Sequence, residues 1–147
     1  LLMKTKIPNI VFLALVVLGA FSLIVMGITG AQQDKGFQSD FSTYQLGNSK
    51  LGAGQYIQAE SLFSNLLDTH PTNHLLMWDM ALSLAGQGKF TQSANYFAKA
   101  QAKRPFLVNN PNFLQQYGSV LSRIGQSDLA AKYLQRANQL QAAAPQK

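Results

Sequence analysis

The residues able to do covalent or metal chemistry in this chain are few and scattered. His70 and His74 flank a proline in HPTNH and have the spacing of a metal-ligand pair. A zinc site needs three or four ligands held rigidly, and no suitable cluster stands nearby in sequence. Pro71 also breaks the helix that would set both rings on one face. Six carboxylates are spread along 147 residues, cysteine is absent, and no nucleophile–base pair or phosphate-cradling glycine loop has a recognisable spacing. The sequence therefore predicts no enzyme, no metal and no cofactor. Recognition is the chemistry left to it, and Tyr44 and Trp78 are rigid amphipathic side chains of the kind that anchor binding sites.

Two kinds of element carry these residues. The first is the run Ile7–Ile28, IPNIVFLALVVLGAFSLIVMGI, which has no ionisable side chain. As a helix it would span roughly 33 Å, enough for a hydrocarbon core of about 30 Å. It has no polar face to show to water, which disfavours a buried core helix. Lys4 and Lys6 precede it, so an uncleaved anchor would keep residues 1–6 inside and place residues 31–147 outside the cytoplasm. A cleaved secretory signal is the rival, with Thr29-Gly30-Ala31 as its small-residue site; the length of the apolar core favours the anchor. The expected organisation is an anchor over 1–30, a polar linker over 31–38 and a helical domain over 39–147.

The second element is a repeat. LGNSKLGAGQYIQAESLFSNLLDTHPTN from Leu46 aligns with MALSLAGQGKFTQSANYFAKAQAKRPFL from Met80, placing Gly54 on Gly88, Tyr56 on Phe90, Phe63 on Phe97 and Pro71 on Pro105. Each offset is 34 residues (88 − 54), which is the length of one helix–turn–helix unit. A third copy begins at Tyr117; its Gly125 lies 125 − 88 = 37 residues on, so about three residues are inserted after Pro105. Gly54, Gly88 and Gly125 sit where a first helix must turn with positive φ. Tyr56 and Phe90 open the second helix and could wedge inside the hairpin. Ala59, Ser93 and Ala130 fall at the closest helix approach, and Leu66, Ala100 and Ala137 at the contact with the next unit. Pro71 and Pro105 stop the second helices. Asn110 before Pro111 reads as an N-cap.

The pattern resembles the tetratricopeptide repeat. The first copy fits its consensus with Leu46, Gly47, Gly54, Tyr56, Ala59, Phe63, Leu66 and Pro71, and the second with Met80, Ala81, Gly88, Phe90, Ser93, Phe97, Ala100 and Pro105. The third departs, having Ser127 where an aromatic is usual. The resemblance implies an all-α fold: three repeats at about 40–73, 74–107 and 111–144, stacked as a right-handed α-solenoid whose first helices line a concave groove. The groove positions it implies are Phe41, Tyr44, Asn48 and Leu51, then Leu75, Trp78, Leu82 and Ala85, then Asn112, Gln115, Ser119, Ser122 and Arg123. Trp78 has two readings, a groove contact or packing between neighbouring helices. Some family members grip a C-terminal carboxylate with Lys, Asn and Arg. Only Asn48 matches here, since Tyr44, Leu82, Gln115 and Ser119 stand at the other clamp positions. A peptide with apolar side chains is therefore expected in preference to an acidic tail.

Charge and the array's end complete the expectation. The formal net charge is +6 and the pI about 9.7, yet only 12% of residues are charged, so the basicity reflects scarce carboxylates. Two lysines face five carboxylates from Asp34 to Gly88; from Lys89 on, eight Lys and Arg face Asp128 alone. That is either a basic face for an anionic partner or a solvated surface, and the expected topology argues against nucleic acid. The third hairpin ends near Leu140, so either its polar residues Lys132, Gln135, Arg136 and Gln139 cap the array or a partner or second copy covers it. These observations together predict a non-enzymatic scaffold at the cytoplasmic membrane, spanning it once, that binds a protein or peptide in its groove. The alternative is a structural subunit of a membrane complex or surface filament, built through the apolar run; the absence of Glu from that run departs from the usual pilin pattern.

Overall fold

A computed structural model describes residues 36–143. The chain divides into two compact units, Leu1–Phe41 and Ser42–Lys147. Of the first, only residues 36–41 are described. They are helical, so helix begins inside the stretch expected to be linker, and the rings of Phe37 and Phe41, one turn apart, stack at 6.5 Å. The apolar run Ile7–Ile28 lies outside the described residues. Among those that are described, no helix is long and apolar enough to cross a membrane.

Six α-helices run in order among the described residues: α1 (residues 36–52), α2 (Tyr56–Thr69), α3 (His74–Gly86), α4 (Phe90–Lys103), α5 (Pro111–Arg123) and α6 (Ser127–Ala142). They form three hairpins, each second helix packing on the first helix of the following pair, α2 on α3 and α4 on α5. A 3-10 turn, Pro105–Asn109, accommodates the residues inserted before α5.

One turn is built three times. Gly54, Gly88 and Gly125 have φ of 72°, 76° and 79°, the left-handed region where a side chain would be strained. The following amide then reaches back to an orphan helix carbonyl: Gln55 to Lys50 at 2.9 Å, Lys89 to Leu84 at 2.9 Å and Gln126 to Leu121 at 3.0 Å. At the other end of the hairpins, Asn73 and Asn110 cap α3 and α5, each side-chain oxygen accepting two backbone amides. His70 and Arg104 end α2 and α4 one residue before the prolines.

Between these ends the packing follows residue size. Ala59, Ser93 and Ala130 are essentially inaccessible, and so are Ala100 and Ala137. The Ser93 hydroxyl is buried without being left unsatisfied, because it donates to the Ala81 carbonyl at 2.7 Å. Gly47 and Gly118 occupy equivalent places on α1 and α5; a Cβ there would come within 2.6 Å of Phe63 and 2.9 Å of Leu134. Tyr56 and Phe90 differ from expectation. The Tyr56 ring rests on Gly86 at the end of α3, and Phe90 lies under Arg123 at the end of α5. Each therefore seals the joint to the next hairpin rather than only its own.

The second and third hairpins share an aromatic joint. Phe97 and Phe113, both fully buried, meet at 5.4 Å; Tyr117 stacks on Phe97 at 5.1 Å and meets Tyr133 edge-on at 5.0 Å. Lys132, Gln135, Arg136 and Gln139 are exposed on α6, whereas Tyr133, Leu134 and Leu140 are partly buried. Leu129 is exposed on the same helix, so both polar and apolar side chains face outward from α6.

Phe97→Ala should lower stability by about 3–5 kcal/mol through the cavity it opens, and Gly118→Ala by about 1–3 kcal/mol through overpacking. Urea unfolding followed by circular dichroism measures both. A Phe97→Ala effect under about 1 kcal/mol would show that the aromatic joint does not hold the hairpins together.

Candidate functional site

The groove positions separate into two clusters. The first joins α1 to α3. Tyr44 is half-buried, packs on Phe63 at 6.2 Å and hydrogen-bonds with Asn48 and Asp79. Burial raises the pKa of the Tyr44 phenol; Asn48 opposes the shift and the Asp79 charge adds to it. Leu51 packs against the core beneath. Asp79 was not singled out by the sequence, although it is the lone carboxylate in the most apolar helix of the array, HLLMWDMALSLAG. Its Oδ2 is buried without a hydrogen-bond partner. Burial pushes its pKa up to about 6, and the hydrogen bond from Tyr44 only partly opposes this.

The second cluster joins α3 to α5 and lines an open pocket. Leu82, Ala85, Phe90, Gln115, Gln116, Ser119, Val120 and Arg123 line about 370 Å³, a volume that suits one or two side chains of a ligand. The predicted residues Leu82, Ala85, Gln115, Ser119 and Arg123 are brought together here; Phe90 and Gln116 are additions. Arg123 sits 5.7 Å above the Phe90 ring, a cation–π contact at the pocket's rim. Ser119 donates to the Gln115 carbonyl at 2.8 Å along α5.

Trp78 stands at the joint of the same two helices. Its indole Nε1 donates to Gln116 Oε1 at 2.7 Å, and its ring meets Phe113 edge-on at 5.2 Å. Of its two readings, the geometry favours packing: Trp78 is half-buried and holds α3 against α5. Phe41, in the first compact unit, and Leu75, at the start of α3, are both exposed, and Leu75 belongs to neither cluster. Asn112 and Ser122 are exposed on α5. Burial and then the Arg104 charge lower the pKa of His74, and among the described residues no three side chains group as metal ligands.

An ion pair lies away from this surface. Glu60 on α2 accepts from Gln87 Nε2 at 2.6 Å and from Lys89 Nζ at 3.1 Å, tying the first hairpin to the turn after α3. The Gln87 hydrogen bond and then Lys89 lower the Glu60 pKa, while burial acts the other way.

The repeated hairpin is shared with known proteins. Residues 75–142, just under half of this chain, are similar to the family of YpiA-like, C-terminal tetratricopeptide repeats. The repeats are a non-catalytic fold family. Three solved structures show the fold more widely. MamA of strain AMB-1 is 20% identical with a TM-score of 0.60, the match covering 70% of this chain and 55% of that one. The Sgt2 repeat domain from Aspergillus fumigatus is 14% identical with a TM-score of 0.62, over 74% of this chain and 70% of that one. The first repeat domain of Spaghetti (RPAP3), bound to the HSP90 peptide SRMEEVD, is 19% identical with a TM-score of 0.63, over 73% of this chain and 82% of that one. The chain thus spans little more than half the length of MamA, and at these identities the likeness is one of fold. No curated protein is similar enough in sequence to count as a match.

Asp79 makes an inverted contribution to the pH dependence of stability, opposite in sign to that of Glu60. A carboxyl whose pKa is raised on folding binds its proton more tightly in the folded state. Its stabilising contribution is therefore complete below about pH 4 and is lost as pH rises through about 6. Asp79→Asn removes that cost and should raise stability at pH 7.5 by roughly 2 kcal/mol, with the gain vanishing near pH 4. Thermal melts of both proteins from pH 4 to 8 test this; parallel curves would show that Asp79 is ionised at no cost.

Proposed function

We propose that the chain is a membrane-tethered interaction scaffold whose repeats receive a segment of a partner protein in the groove across α3 and α5. The observation that carries this is the pocket formed by Leu82, Ala85, Phe90, Gln115, Ser119 and Arg123. Its lining is mainly apolar, and the Spaghetti domain, similar in fold and bound to an HSP90 peptide, is a precedent for peptide binding. The residues here favour different chemistry from that acidic peptide. Leu82, Gln115 and Ser119 stand where a carboxylate clamp would carry basic or amide groups, so an apolar side chain fills the pocket and Arg123 meets a polar or anionic group beside it.

The tether in this proposal is Ile7–Ile28. Its length, its lack of charge and the lysines before it support a single span, with the repeats outside the cytoplasm. That placement disfavours cytosolic chaperone tails and nucleic acid as partners.

The test is recovery of partners with the full-length chain from its own membranes. Ser119→Trp fills the pocket and Arg123→Ala strips its rim, and both positions are exposed, so folding is preserved. Partner recovery should fall at least about tenfold with Ser119→Trp, which corresponds to losing one well-filled hot spot, and less with Arg123→Ala. Unchanged recovery with both variants would contradict groove binding.

A further inference from the structure

The 3-10 turn that carries the insertion has a composition that the other joint between hairpins, residues 70–73, does not share. Leu107 faces the core, but Phe106 is 73% exposed and Val108 36%. Such exposure of a phenylalanine on a short, backbone-anchored turn has no packing reason. Pro105 begins the turn, and the amides of Leu107 and Asn110 return to the carbonyls of Arg104 and Leu107 at 3.0 Å, so the apolar side chains are displayed on a fixed backbone. Cations surround them. Lys103 and Arg104 immediately precede the turn and are exposed, and Arg136 reaches it from α6, donating to Asn109 Oδ1 at 3.3 Å. None of the three pairs with a carboxylate among the described residues. Asp68, at the end of α2, is the exposed carboxylate at this end of the second unit.

The topology gives that end a direction. α3 and α5 start there and α2, α4 and α6 finish there, because every hairpin turn lies at the opposite end. The antiparallel pairing of α1 with α2 puts Ser42, where the second unit begins, at the same end. Residues 29–41 connect Ile28 to it in sequence. An apolar tip flanked by cations, on the end of the domain from which the chain leads back to a membrane span, has the makeup of an interfacial contact. An aromatic ring settles at headgroup depth while each Lys or Arg contributes attraction to anionic lipid.

We propose that the turn Pro105–Asn109 docks on an anionic lipid surface, Phe106 and Val108 entering the headgroup layer and Lys103, Arg104 and Arg136 meeting lipid phosphates. This rests on the anchored reading for proximity, but not for its chemistry. Docking at this end would hold the hairpins upright on the bilayer and leave the pocket between α3 and α5 open along its side.

The chain has no cysteine, so single-site labels can be introduced without removing any. The full-length protein carrying Val108→Cys with an environment-sensitive fluorophore is reconstituted into nanodiscs of neutral phosphatidylcholine or of the same lipid with phosphatidylglycerol. The expected result is a blue-shifted, lipid-quenchable signal in the anionic discs only. The docking constant should fall roughly fivefold for each of Lys103→Ser and Arg104→Ser at low salt, and Phe106→Ser should abolish the shift. A label that stays aqueous in anionic discs overturns the proposal. So does a shift of equal size in neutral discs. A Val17→Cys label judges the anchor separately: if it remains outside the bilayer, the tether fails, while the response at position 108 still decides lipid docking.

Discussion

Close approach between neighbouring helices is the constraint on which the rest of this molecule depends. A hairpin of two amphipathic helices cannot bury its apolar face alone, so each must press against the next. Ala59, Ser93 and Ala130 let the paired backbones meet, and the aromatic joint of Phe97, Phe113 and Tyr117 fills the seam between the second and third hairpins. These contacts set the separation of α3 and α5. That separation leaves a pocket of about 370 Å³ between them.

Function follows from which side chains the seam leaves uncovered. Trp78 is drawn into the joint by its hydrogen bond to Gln116 and its contact with Phe113, so it positions the site more than it occupies it. Leu82, Ser119 and Arg123, one to two turns further along the same helices, remain at the surface of the pocket. The two clusters of the groove differ in character. The one around Tyr44 and Asp79 is a hydrogen-bonded polar joint that holds a half-buried carboxyl near its titration point. The one around Leu82 and Arg123 is an apolar recess with a single cation at its edge.

Much of the fold was legible because the repeat encodes it redundantly. The turn glycines, the small residues at the crossing and the prolines after α2 and α4 each have one physical use, and their spacing of 34 residues places the hairpins without reference to any contact. The inserted stretch was visible as 37 residues between Gly88 and Gly125, but not its conformation, since PFLVN has no helical or strand period. The site was legible only in part. The resemblance implies a groove face with Leu82, Gln115, Ser119 and Arg123, and these four side chains line the pocket. It cannot tell a groove contact from a contact with the neighbouring first helix, which is why Trp78 had two readings. Asp79 was missed because its importance comes from burial against α1, a tertiary fact. Phe90 was assigned to its own hairpin because the repeat alignment says nothing of the hairpin beyond. The apolar run Ile7–Ile28 stands on sequence alone.

The central claim is that partners enter between α3 and α5, and site-specific photo-crosslinking in intact membranes tests it most directly. A photoreactive residue at Ser119, in the pocket, is compared with one at Lys132, exposed on α6. The account predicts a discrete adduct from position 119 that is lost when Leu82 is changed to Lys, and none of the same size from position 132. Identical adducts from both positions, or an adduct from position 132 alone, would contradict it.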